Sequence, residues 1–71
     1  MAEVKFTYEG YDVIIQCNKN QKMRDICIKL SNKINVSMNS LIFLYGGNKL
    51  NLEKAFDELT KENRINILVD K

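Results

Sequence analysis

The sequence predicts a two-layer α+β domain in which one helix covers one face of a mixed sheet of four or five strands. Two segments near the start, Val4–Tyr8 and Asp12–Cys17, alternate apolar and polar residues, as strands do. Within Lys22–Ile34 the apolar residues recur at spacings of three and four, which is the period of a helix. A final alternating segment, Arg64–Val69, predicts another strand, so a single long helix must cover the whole sheet.

Length and composition limit the possible functions. The 71 residues are enough for one domain and too few for two, so we expect residues 1–71 to form a single domain. The net charge is only +2 and lysines are interleaved with acids, which argues against a basic face for nucleic acid. There is no apolar run long enough for a membrane span, and the start lacks a secretion signal. We expect a monomer in the cytoplasm or nucleus, with no membrane or nucleic-acid partner.

The first two strands are predicted to form an antiparallel hairpin, because only the turn residues Glu9-Gly10 and a short connection separate them. Within the second strand, Val13, Ile15 and Cys17 share one face. Ile14 points to the opposite face.

The helix is predicted from one apolar stripe with charged residues on the other side. The stripe consists of Met23, Ile26, Cys27, Leu30 and Ile34. Asn35 follows the stripe and is a residue that accepts the left-handed conformation at which helices often end. Ile28 lies off the stripe and is expected to be exposed.

The second half of the chain predicts two further strands and a short helical turn. Leu41–Tyr45 is an apolar run that suits a strand, and Gly46-Gly47-Asn48 is a turn after which Lys49-Leu50 can pair back. Glu53–Leu59 carries one helical turn with two apolar residues three apart. The last strand, Arg64–Val69, is expected at the centre of the sheet beside the first strand.

No catalytic, metal or cofactor site is expected. Cys17 and Cys27 both fall on inward faces, where a free cysteine acts as a small apolar residue. The chain has no histidine to serve as a base for a reactive thiol, and no second pair of metal ligands accompanies the cysteines. We therefore expect the protein not to be an enzyme and to need no cofactor.

The sequence resembles the ubiquitin-like superfamily, whose fold is the β-grasp. The most specific stretch runs from Asn35 to Leu50 and reads Asn-Val-Ser-Met-Asn-Ser-Leu-Ile-Phe-Leu-Tyr-Gly-Gly-Asn-Lys-Leu. It is similar to the segment of the family that leads from the helix into the third strand and its glycine turn. Its amino-acid sequence is most similar to that of the SUMO and Rad60-type branch. The resemblance covers Val4 to Val69 and implies parallel first and last strands.

The resemblance also implies a protein-binding module, either conjugated to other proteins or embedded in a larger one. Conjugated members end in a diglycine, whereas this sequence ends Leu68-Val69-Asp70-Lys71. We therefore expect an embedded domain whose partner is a ubiquitin-pathway receptor or a neighbouring domain. The alternatives are a SUMO- or ubiquitin-type modifier whose diglycine tail is missing from this chain, and a Ras-binding or PB1-type module of the same fold.

The first candidate site is the sheet face that the helix leaves uncovered. If Phe43 points to the helix, Ile42 and Leu44 point outward by strand alternation, and Leu68 and Asn66 point outward from the last strand. An exposed apolar cluster on a small domain usually marks an interface. The alternative is a scatter of single exposed apolar residues, which is common on protein surfaces.

The second candidate site is a groove between the helix and the second strand, which the resemblance places at the edge of the sheet. The resemblance to SUMO-like domains implies that an extended peptide adds to this edge, near positive charge. The residues offered for that role are Ile14, Lys22, Lys29 and Lys33. The simpler interpretation is a solvated edge guarded by lysines, which is how natural sheets avoid aggregation.

Overall fold

The computed structural model describes residues 1–71 and contains five strands and two α-helices. In chain order these elements are β1 (Ala2–Tyr8), β2 (Tyr11–Cys17), α1 (Met23–Ile34), β3 (Ile42–Tyr45), β4 (Asn48–Lys49), α2 (Phe56–Leu59) and β5 (Arg64–Asp70). The four long strands and the main helix agree with the prediction to within two residues at either end. A 3₁₀ turn at Met38–Ser40, which alternation did not predict, interrupts the connector before β3.

The sheet is mixed, with the strand order β2-β1-β5-β3-β4. β1 and β5 are parallel neighbours at its centre, with Val4 opposite Ile65 and Phe6 opposite Ile67. The remaining neighbours are antiparallel. The predicted return of the last strand beside the first is confirmed, and the fold is a β-grasp with a five-stranded sheet.

The core lies between α1 and one face of the sheet. Alternate residues of β1 and β5 are buried, which is the pattern of strands covered on one side only. The buried stripe of α1 includes Met23, Ile26, Cys27 and Leu30, as predicted. Phe6 from β1 meets Phe43 from β3 edge to face, with 6.1 Å between ring centroids. One layer of side chains therefore fills the space between helix and sheet, and the opposite sheet face stays uncovered.

The hairpin of β1 and β2 closes through the two-residue turn Glu9-Gly10, in which both residues have positive φ, 50° and 83°. Two positive φ values define the turn whose twist matches the strands of a hairpin. Glycine adopts this conformation freely, whereas glutamate at the first turn position is strained, because its Cβ crowds the backbone. The turn geometry is therefore set by the hairpin rather than by the preference of Glu9.

Replacing Glu9 with asparagine is expected to stabilise the domain by roughly 0.5–1 kcal/mol, because asparagine is favoured where φ is positive in this turn. Urea denaturation followed by circular dichroism measures the change. Glu9→Gln is the matched control: it removes the same charge but keeps a long side chain at positive φ, so little gain is expected. Equal stabilisation by both variants would show that charge, not backbone conformation, is responsible.

The start of α1 is capped by backbone from a distant loop. Lys22 occupies the N-cap position without a side-chain hydrogen bond. Instead, the N–H groups of Met23 and Arg24 donate to the carbonyls of Lys54 and Leu52, at 2.8 and 2.9 Å. These donors have no partner within the helix, so the loop satisfies them in place of a side chain. The predicted helical turn from Glu53 consequently begins only at Phe56, after the capping residues.

The end of α1 follows the prediction. Asn35 is left-handed, with φ 60° and ψ 43°, and ends the helix. The N–H of Val36 then donates to the carbonyl of Ser31 at 3.1 Å, which is the hydrogen bond expected at such an end. Asparagine tolerates this conformation better than most residues.

Candidate functional site

The candidate site lies on the outer face, which is the side of the sheet turned away from α1. Strand alternation places Ile42 and Leu44 of β3 and Leu68 of β5 on this face, because the residue between Ile42 and Leu44, Phe43, is buried against the core. β3 and β5 are antiparallel neighbours, and Leu44 lies directly opposite Leu68. Ile42 lies two residues away on β3, opposite Asp70.

These three side chains, Ile42, Leu44 and Leu68, form what we call the outer patch. Facing residues of antiparallel strands have Cβ atoms about 5 Å apart, so Leu44 and Leu68 are direct neighbours and Ile42 is within reach. Leu68 is 52% exposed and Ile42 is 43% exposed, whereas Leu44 is half-buried. The structure thus brings together the three apolar residues named from the sequence. Their role in binding stays a prediction.

Asn66 lies at the rim of the outer patch. It lies two residues before Leu68 on β5, so its side chain is on the same outer face. Across the sheet it is opposite Lys5 of β1. Its exposed amide can donate and accept hydrogen bonds. Asn66 therefore extends the surface with a polar group rather than enlarging its apolar area.

Thr7 of β1 borders the patch on its other side, and sequence reasoning did not single it out. Its backbone is opposite Leu68 in the register of β1 and β5. Its hydroxyl donates to Asp12 at 2.9 Å, and Lys5 forms an ion pair with the same carboxylate at 3.5 Å. The alternation of β1 could have placed Thr7 on this face, but only the strand order shows that it adjoins Leu68.

Four charged residues lie on the outer face around the patch, and two of them pair with each other. Arg64 and Glu3 pair on the outer face, with Arg64 Nε donating to Glu3 Oε2 at 2.6 Å. Lys49 is opposite Leu44 and Asp70 is opposite Ile42, and both are exposed. The patch is consequently bordered by one cation and one anion on different sides, which can orient a partner that carries the complementary charges.

The second candidate site is not assembled as the sequence suggested. Strand β2 is an edge strand, as expected. Ile14, however, is opposite Lys5 and points to the outer face, away from α1. The helix lysines lie on the other side of the sheet, so Ile14 and these lysines do not line one groove. The cause is the two-residue period of a strand, which turns Ile14 away from the side that carries Val13 and Ile15.

The three lysines are also separated from one another. Lys22 lies at the start of α1 and pairs with Glu53 at 3.7 Å. Arg24 pairs with the same carboxylate, and its hydrogen bond and charge are the largest causes that lower the pKa of Glu53, with Lys22 adding to them. Lys29 lies near the end of β2, beside Gln16 and Cys17. Lys33 is exposed in the last turn of α1.

Both cysteines are buried, as predicted. Burial raises the pKa of the Cys27 thiol from 9.0 to about 12, and it also raises the pKa of Cys17, which the charge of Lys29 partly offsets. A raised pKa keeps a thiol protonated and unreactive near neutral pH. Side chains of histidine, cysteine, aspartate and glutamate form no cluster of three that could hold a metal ion. Neither helix is long and apolar enough to cross a bilayer.

Comparisons with known proteins agree with the fold and do not identify a family. No protein-family model and no curated protein sequence matches the chain. Among solved structures 270 chains match, so the architecture is widespread. One of them, described as the crystal structure of ATBAG1 in complex with HSP70, has a TM-score of 0.88 at 10% identity. The match covers all of this chain, which spans 40% of the length of that one. An identity this low establishes a shared fold alone.

Proposed function

We propose that this protein is a non-catalytic, ubiquitin-like interaction domain that docks a partner protein through the outer patch. The observation that carries the proposal is the position of Leu68, 52% exposed, directly opposite Leu44 and on the same uncovered sheet face as Ile42. Contiguous apolar surface of this kind usually marks an interface in a small soluble domain. The absence of histidine and the burial of both thiols support a role without chemistry of its own.

The partner suited to this surface presents a few apolar side chains within a polar border. Three apolar residues bury little area, so the affinity is expected to be modest. Lys49 and Asp70 border the patch and would fix the orientation of a partner carrying an acid and a base at matching positions. That ATBAG1, a protein sharing this fold, was solved in a complex with HSP70 agrees with protein binding in general; at 10% identity HSP70 itself is not carried over.

We further propose that the domain belongs to a larger protein in the cytoplasm or nucleus and binds a ubiquitin-pathway receptor or a neighbouring domain. This rests on the resemblance of the stretch from Asn35 to Leu50. The coding sequence after Lys71 discriminates between the two main alternatives. A diglycine soon after this point would favour a conjugated modifier, and a following domain would favour an embedded module.

Leu68→Arg is expected to weaken partner binding by 2 kcal/mol or more, which is roughly thirtyfold, because a charge replaces an apolar contact at the centre of the interface. The fold should be preserved, since more than half of the Leu68 side chain is exposed. The partner is first identified by introducing a photo-crosslinking residue at position 68 of the full-length protein. Titration of the purified partner, followed by NMR, then gives the affinity.

Ile28→Arg provides the matched control for this experiment. Ile28 is also a partly exposed apolar residue, 40% exposed, but it lies on α1, on the other side of the sheet. The same charge introduced there should leave binding unchanged. If Leu68→Arg binds the purified partner as tightly as the unchanged protein does, the outer patch is not the docking surface.

A further inference from the structure

Strand β2 is an unprotected sheet edge. It has seven residues, Tyr11–Cys17, and pairs with β1 in unbroken register, so no bulge twists it away from a neighbour. It contains neither proline nor lysine, which are the residues that commonly protect edges. Its one charged residue, Asp12, is already engaged by Thr7 and Lys5. The opposite edge, β4, has only two residues, one of them Lys49.

The hairpin geometry shows which backbone groups of this edge are free. A two-residue turn closes on a hydrogen-bonded pair, here Tyr8 and Tyr11, and such pairs alternate along an antiparallel ladder. Residues 11, 13, 15 and 17 therefore direct their N–H and C=O groups toward β1. Asp12, Ile14 and Gln16 direct theirs outward, where a further strand could accept and donate hydrogen bonds.

We propose that β2 pairs antiparallel with β2 of a second copy of this chain, with Ile14 facing Ile14 across the two-fold axis. This register aligns Asp12 with Gln16 of the second copy, and Gln16 with its Asp12. All three facing pairs consist of residues whose backbone groups point outward, so about six hydrogen bonds join the two sheets. The result is one continuous sheet formed by both copies.

The side chains fit a second copy in this register. The facing Ile14 side chains, each 38% exposed, bury one another on the outer face. Asp12 meets an uncharged amide that can donate to it, so no like charges oppose each other. On the other face, Val13 of one copy is opposite Ile15 of the second. Each facing pair therefore matches apolar with apolar or acceptor with donor, so the edge is complementary to a second copy of itself.

The pairing leaves the outer patch free, because β1 separates β2 from β5 and β3 in the strand order. A two-fold axis perpendicular to the sheet keeps both outer faces on the same side. A dimer would thus present two copies of the patch to one surface, which raises the avidity for a partner with repeated sites. This dimer differs from the monomer that the sequence led us to expect.

Sedimentation velocity over a concentration series of the 71-residue chain tests the association, and amide hydrogen exchange by NMR tests its location. The unchanged protein should shift toward twice the monomer mass as concentration rises. Exchange at Asp12, Ile14 and Gln16 should slow with concentration, while Val13 and Ile15, bonded to β1, stay constant. A monomer at every concentration, or a dimer in which those three amides are not protected, would overturn the proposal.

Ile14→Glu should weaken self-association at least about tenfold, because two carboxylates would face each other at the two-fold axis. Within one copy the new carboxylate faces Lys5, so the fold is not threatened. Ile28→Glu is the control, since Ile28 is equally exposed and lies off the edge. Self-association that is unchanged by Ile14→Glu, or weakened equally by both variants, would exclude β2 pairing. Pairing of the edge with an added extended peptide but not with itself would also exclude it.

Discussion

Replacing Phe6 with alanine is expected to leave the domain largely unfolded. Phe6 is fully buried on the central strand β1, packs edge to face on Phe43, and faces Ile67 across the parallel pair. Removing a buried phenylalanine costs about 3–5 kcal/mol, through lost burial and the cavity left behind. A core of this size supplies net stability of only about 3–5 kcal/mol, so the loss equals nearly all of it.

Circular dichroism and urea denaturation measure this effect, and Phe6→Leu is the control. Leucine keeps most of the apolar volume, so that variant should remain folded and lose only about 1–2 kcal/mol. A cooperative transition for Phe6→Ala with a midpoint close to that of the unchanged protein would contradict the packing described for the core. Retained helix content without a cooperative transition would instead indicate loss of specific packing.

The stability of the domain is expected to fall as pH rises from 9 to 12, because of Cys27. Its thiol is fully buried, and burial raises its pKa from 9.0 to about 12. In this range the unfolded chain loses the thiol proton while the folded chain keeps it, so the folded state binds more protons and stability decreases with pH. Three pKa units correspond to about 4 kcal/mol of the free energy of unfolding. This contribution falls by about 1.4 kcal/mol for each pH unit between the two pKa values.

Urea denaturation at pH 8, 9, 10 and 11 gives this dependence, and Cys27→Ala separates it from the titration of tyrosines and lysines. The variant is slightly less stable at every pH, because the buried sulfur atom is missing. Its stability should decline less steeply than that of the unchanged protein, and the difference between the two should shrink above pH 9. Parallel curves would mean that Cys27 becomes hydrated, or ionises at its usual pKa, in the folded state.

Local periodicity predicted most of the fold. The alternation in β5 identified a strand buried on one side, and the stripe from Met23 to Leu30 identified both the helix and its inward face. The parallel pairing of β5 with β1 was not encoded in any local pattern; it was implied by the resemblance to a known fold. The loop that caps α1 could not be predicted, because carbonyls of Lys54 and Leu52 act through the backbone, which leaves no mark on residue type.

Alternation also predicted part of the candidate site but not all of it. Alternation was sufficient for Ile42 and Leu68, since each lies between two buried neighbours on a strand with one covered face. It was insufficient for Leu44, which is half-buried and has a neighbouring strand on each side, with Leu68 and Lys49 as its facing residues. The structure does not bring Ile14 and the helix lysines into one groove: the resemblance to SUMO-like domains grouped them, although alternation already turned Ile14 away from the face of Val13 and Ile15.

The parallel pairing of β1 with β5 also constrains the order of events during synthesis. β1 begins at Ala2 and its central neighbour β5 begins at Arg64, so most of the domain is synthesised between these two strands. At about 5–20 residues per second, β1 waits several seconds with one flank open. In that interval β1 is paired with β2 alone, and a chaperone or a neighbouring nascent chain could occupy the vacant central position before β5 arrives.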